Sequence, residues 1–78
     1  MPIAFVLFNT EIGAESEVVE SLRKIDAVEE AYMVYGVYDI VAKIKANGMG
    51  ELKEIVTRQL RSLDKVRSTL TVMAMEEK

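Results

Sequence analysis

The chain has 78 residues, half of them apolar, with 10 lysines and arginines against 13 acids for a net charge of −3, and it contains neither cysteine nor histidine. That length is one domain, able to hide only about 60% of its unfolded surface by folding alone, and an apolar half is high for so small a monomer. The missing residue types exclude disulfides, thiolate metal sites, a cysteine nucleophile and the commonest general base, which argues against an enzyme, and the basic residues are scattered among acids, so direct nucleic-acid binding is not expected.

Ile3 to Phe8 is a short apolar run of strand type. It has no basic leader and is too short for a signal peptide or a membrane span, which leaves a cytoplasmic chain with no membrane partner as the simplest expectation. Gly13 ends the strand. Val18, Val19, Leu22 and Ile25 then fall on one helical face, with Glu17, Glu20, Ser21 and Lys24 opposite, and Glu15 and Glu17 stand in the first turn, where acids suit the helix dipole. Val28 to Tyr35 reads as a strand interrupted by Gly36, and Tyr38 to Lys45 as the next, with Ile40, Ala42 and Ile44 on one side. Asn47-Gly48 and Gly50 introduce a second helix with Leu52, Ile55, Val56, Leu60 and Leu63 facing inward. Val66 to Met75 is the last strand, and Glu76-Glu77-Lys78 is a polar tail.

The two halves repeat at an offset of 38 residues: Leu22-Arg23-Lys24-Ile25-Asp26-Ala27-Val28 aligns with Leu60-Arg61-Ser62-Leu63-Asp64-Lys65-Val66. The paired charges Arg23/Asp26 and Arg61/Asp64 are expected to be solvated or to close the helix ends. Two βαβ halves joined by a tight central hairpin predict an α+β, ferredoxin-like βαββαβ sandwich: a four-stranded antiparallel sheet with both helices on one face. The other face would be bare, yet the strands are apolar on both sides: Ile3, Phe5 and Leu7 oppose Ala4, Val6 and Phe8, and Leu70 and Val72 oppose Thr69, Thr71 and Met73. Dimerisation through the bare face is the economical cover.

Chemistry is concentrated in Tyr35-Gly36-Val37-Tyr38-Asp39. One reading is a turn, with Gly36 serving the bend and Asp39 accepting backbone hydrogen bonds. The other is a ligand site, with aromatic faces, a closely approachable backbone and a carboxylate. Thr69 and Thr71 admit the same two readings, β-propensity or hydroxyls for a ligand. The carboxylates Glu29-Glu30 have no base or nucleophile beside them, and no cofactor is implied.

The segments Ala4-Phe5-Val6-Leu7, Leu22-x-x-Ile25-x-x-Val28, Gly36-Val37-Tyr38-Asp39-Ile40 and Leu63-x-x-Val66-x-x-Thr69-x-Thr71-Val72 resemble the effector-binding (RAM) domain of Lrp/AsnC transcription regulators, over nearly the whole chain. The match is to the family's G-x-[aromatic]-D hairpin. Usual members carry a helix-turn-helix domain ahead of it; this chain starts at the first strand and resembles stand-alone members, so residues 1–78 are expected to be a single effector-binding domain without its own DNA reader. The resemblance implies sheet-to-sheet dimers, commonly four of them in an octameric ring, with an amino-acid effector at the seam between dimers. Position by position it points to Gly36, Val37, Tyr38 and Asp39, and also to Thr69 and Thr71. A backbone N–H beside Gly36 would meet the carboxylate and Asp39 the ammonium. An ACT-like regulatory domain, pairing sheets edge to edge, and a structural partner of full-length Lrp/AsnC regulators are the alternatives.

Overall fold

Strand β1 (Ile3–Thr10) is followed by helix α1 (Glu15–Arg23), strands β2 (Val28–Met33) and β3 (Ile40–Lys45), helix α2 (Met49–Glu54) running on into a π-helical segment (Ile55–Leu60), and strand β4 (Val66–Met73), in a computed structural model that describes residues 2–74. The strands form one antiparallel sheet ordered β2-β3-β1-β4, the ferredoxin-like βαββαβ arrangement expected from the repeat.

Period-2 alternation sorts the strand residues onto two faces. On the helix side the rows across the sheet are Thr71–Val6–Ala42–Ala31 and Thr69–Phe8–Ile40–Met33. Val6, Phe8, Ile40 and Ala42 are buried there against Val18, Val19 and Leu22 of α1 and Leu52, Ile55, Val56 and Leu60 of the second helical segment. Each buried leucine or phenylalanine contributes about 1.5–3 kcal/mol. The repeat-related pairs Leu22/Leu60, Val18/Val56 and Ala4/Ala42 all lie in this core. On the other side the rows are Val72–Phe5–Lys43–Glu30 and Leu70–Leu7–Val41–Tyr32, and no helix among the described residues covers them. Phe5, Leu70 and Val72 are 40%, 46% and 48% exposed.

The two halves share one further feature. Each outer strand carries a β-bulge: Arg67 is skipped where β4 pairs with β1, and Glu29 where β2 pairs with β3. Glu29 and Arg67 stand at the same 38-residue offset as the rest of the repeat. A bulge bends the strand and re-aims a side chain, so the halves use one device to present charges of opposite sign.

Several boundaries differ from expectation. β1 runs on to Thr10, because Asn9 and Thr10 pair with β4. β2 stops at Met33 and β3 starts at Ile40, so the tight hairpin is a six-residue loop, closed by Val34 N–H donating to the Asp39 carbonyl at 2.9 Å. Tyr35 and Tyr38 are expected in strands, but Gly36 at φ +140° turns the chain out of the ladder between them. Ile25 lies just past the end of α1 and packs against the core from the turn. The second helix changes to π-type hydrogen bonding at Ile55. Arg23 does not close its own helix against Asp26: its guanidinium donates to the Ala31 carbonyl on the outer edge of β2, at 2.8 and 3.3 Å. Met75 and the Glu76–Lys78 tail lie outside the described residues.

Candidate functional site

The C-terminal end of β1 brings together the β2–β3 loop, the β1–α1 turn and the start of β4. The Asp39 N–H donates to the Phe8 carbonyl at 2.9 Å, which seats the loop's last residue at this end of the sheet. The Asp39 carboxylate then accepts from the Thr10 backbone N–H at 2.9 Å and from the Thr10 hydroxyl at 3.5 Å, both through Oδ2. Thr10 is only 5% exposed, so this carboxylate satisfies a buried donor just past Phe8–Ile40, the last pair of the β1–β3 ladder.

Two clefts flank Asp39. One, of about 450 Å³, is lined by Asn9, Thr10, Ile12, Asp39, Arg67 and Ser68. The Asn9 amide donates to the Ser68 hydroxyl across its floor at 3.3 Å. The bulge presents Arg67 at this cleft, and Arg67 makes no ion pair among the described residues. The cleft therefore offers an anion and a cation, with hydroxyl and amide groups between them. The other cleft, of about 480 Å³, is lined by Glu15, Ser16, Met33, Val34, Tyr35 and Asp39 and supplies an apolar wall. Asp39 is common to both. A larger hollow of about 590 Å³ beside Glu51, Glu54, Ile55, Arg58 and Gln59 holds none of the expected residues, and its Glu54 and Arg58 pair with each other at 3.6 Å.

Of the six residues singled out in the sequence, Asp39 lines both of these clefts. Gly36, Val37 and Tyr38 form the loop beyond it, with Val37 84% exposed at the tip. Thr69 and Thr71 sit on the helix-side face of the edge strand β4, opposite Phe8 and Val6. Arg67, Thr10, Asn9 and Ser68 complete the Asp39 cleft. The repeat held the signal for Arg67, since it aligns with Glu29 at the charged position after Val28 and Val66.

The lining carries no strongly nucleophilic group and no histidine or cysteine. What it can do is hold a small molecule with both charges. Among the described residues no helix is long and apolar enough to cross a membrane.

Comparison with known proteins gives a consistent family. A family model described as the Lrp/AsnC ligand binding domain matches residues 3–78. An uncharacterized HTH-type transcriptional regulator, PF0250 of Pyrococcus furiosus, is 35% identical over 74 residues, taking in 91% of this chain and 49% of that protein. The chain thus spans about half the length of this curated relative. The crystal structure of the hypothetical protein PHS023 from Pyrococcus horikoshii is 36% identical, with a TM-score of 0.92 over 99% of this chain and 93% of that one. The transcriptional regulator NMB0573 of Neisseria meningitidis, solved as a complex with L-Met, shares the fold at a TM-score of 0.86 and 19% identity over 97% of this chain and 51% of that one.

Proposed function

The chain belongs to the Lrp/AsnC ligand-binding domain family, and on that footing we propose that it is an oligomeric effector-binding module whose ligand is a small zwitterion of amino-acid type. The observation that carries this is the placing of Asp39 and Arg67 on one cleft. Arg67 receives the ligand carboxylate through its planar fork of donors, and Asp39, keeping its bond to Thr10, receives the ammonium. The Met33–Val34–Tyr35 wall on the far side of Asp39 favours an apolar substituent.

The bare sheet face, with Phe5, Leu7, Leu70 and Val72 uncovered, is the self-association surface. The exposed loop tip at Gly36, Val37 and Tyr38, and with it Thr69 and Thr71 on the β4 edge, completes the site from a neighbouring subunit, in dimers or a ring of dimers. Binding between subunits then couples the effector to assembly. The complex of NMB0573 with L-Met supports an amino acid as the ligand class for this fold.

Co-assembly with a longer regulator is the second reading, favoured because the same domain makes up half of a regulator twice this length. The ACT-like alternative gives way to the family match, and the Arg23 guanidinium occupies the β2 edge that an edge-to-edge partner would use.

Native mass spectrometry with and without a panel of L-amino acids tests the proposal, since it reads subunit number and bound mass together. A multimer that retains an amino acid supports it. A monomer that retains none contradicts it.

A further inference from the structure

Lys65 is the only residue other than glycine with a positive φ among the described residues, at +70°. It stands in the turn that leads from the second helical segment into β4. Its carbonyl accepts the Glu11 N–H at 2.9 Å, and its ammonium donates to the Glu17 carboxylate of α1 at 2.9 Å. The Glu11 bond is the rung just beyond the bulge: Asn9 pairs with Ser68 and Thr10 with Val66, and Arg67 is skipped between them. Lys65 thus ties both α1 and the β1–α1 turn, which brings Ile12 to the Asp39 cleft, to the strand end that brings Arg67 there. The repeat shows that the left-handed turn is not needed for the rung itself. Ala27, at the 38-residue offset, accepts the equivalent bond from the Lys45 N–H at 3.0 Å beside the Glu29 bulge, and it does so without a positive φ.

We propose that Lys65 is a positioning residue for the effector cleft, setting Arg67 against Ile12 and Asp39 through its bonds to Glu11 and Glu17. The proposal rests on the reading of that cleft as the effector site. Left-handed backbone is unfavourable for a residue with a side chain and free of cost for glycine. Such strain persists where the surroundings fix it, and it gathers at functional sites. Glycine would make the turn and the Glu11 rung, but it would not reach Glu17. The tie to α1 is what the lysine side chain adds. An exposed ion pair contributes little to the stability of the fold, so its consequence falls on geometry. A bulged residue has no ladder partner of its own, and its side chain is aimed by the rungs on either side. Arg67 depends on that aim, because a two-pronged contact with a carboxylate tolerates little displacement.

Calorimetric titration of L-leucine, L-isoleucine, L-valine, L-methionine and L-phenylalanine into the 78-residue chain, beside thermal melts, tests this. Lys65→Gly is expected to melt within a few degrees of wild type and to bind at least about fivefold more weakly. Lys65→Arg, which keeps the charge and the reach, should bind as wild type does. Glu17→Ala, at an exposed position of α1, should weaken binding as Lys65→Gly does, and the double variant should weaken it no further. Tighter binding by Glu17→Ala would overturn the proposal, because the freed ammonium would then act on the ligand carboxylate by charge. Wild-type affinity in Lys65→Gly, with Arg67→Gln binding weakly, also overturns it and leaves the cleft reading intact. A melting temperature that falls in step with affinity overturns it too, since the clamp is then structural only. A wild type that binds none of the five, or an Arg67→Gln variant that binds as tightly as wild type, overturns the cleft reading and the proposal with it.

Discussion

The backbone N–H of Thr10 donates to the carboxylate of Asp39 at 2.9 Å, joining residues 29 positions apart in the chain. This one bond ties the β2–β3 loop to the end of β1 and gives Asp39 a structural duty beside its proposed role toward a ligand ammonium.

The two roles separate by substitution. Asp39→Ala leaves a buried N–H without its partner and is expected to cost about 1–3 kcal/mol of stability, together with loss of effector binding. Asp39→Asn keeps an oxygen acceptor for Thr10 but loses the charge, so it should melt within a few degrees of wild type and still bind poorly. Thermal melts beside calorimetric titration check this. An Asn variant that binds like wild type would reduce Asp39 to its structural duty.

Phe5→Asp places a charge in the middle of the bare face, between Val72 and Lys43. The variant is expected to sediment as a folded monomer, while the wild-type chain associates at micromolar concentration. A wild-type species near 8.8 kDa would remove the basis for a covered sheet.

Alkaline pH should weaken the fold through two groups. The hydrogen bond from Lys65 to Glu17, at 2.9 Å, and the charge of that carboxylate hold the Lys65 ammonium above its usual 10.5. The hydrogen bond to Glu30, and then its charge, hold the Tyr32 hydroxyl above its usual 10.0. Both folded values lie above the unfolded ones, so the folded chain keeps these protons more tightly. The stabilisation is complete below the usual values and is lost as pH rises through the raised ones. The melting temperature is expected to fall as pH rises past the usual 10.0 of Tyr32 and 10.5 of Lys65, less steeply in Glu17→Gln and Tyr32→Phe. Equal slopes in all three proteins would contradict the assignment.

The 78-residue chain should not bind random duplex DNA. Its net charge is −3, and Lys43, Lys45, Arg58 and Lys65 are each paired with a carboxylate. A salt-sensitive mobility shift at moderate ionic strength would show otherwise.

Much of this was legible in the residues, because the signals involved are local. Alternation in Ile40–Lys45 and the helical spacing of Val18, Val19 and Leu22 identified the core side correctly, and the two-sided apolar pattern of β1 and β4 revealed the bare face. What escaped depends on pairing between distant segments. The bulges at Glu29 and Arg67 exist only once strands are in register. The Asp39–Thr10 bond spans two elements. Val34, Tyr35 and Tyr38 read as strand because they are apolar or aromatic, and only the Val34–Asp39 closure shows that they leave the sheet. The change to π-type bonding at Ile55 carries no local sequence signal.

The central claim is a charge-paired effector cleft, and its most direct measurement is calorimetric titration of L-amino acids into wild-type protein and Arg67→Gln. Arg67 lines the cleft from an exposed bulge, so the variant should fold and associate as wild type does. Wild type is expected to bind at least one apolar amino acid, and Arg67→Gln to bind it roughly ten- to a hundredfold more weakly, the loss of one charge-assisted contact of about 1.5–3 kcal/mol. Equal affinity in the two proteins, or no binding of any amino acid by the wild-type assembly, would contradict the account.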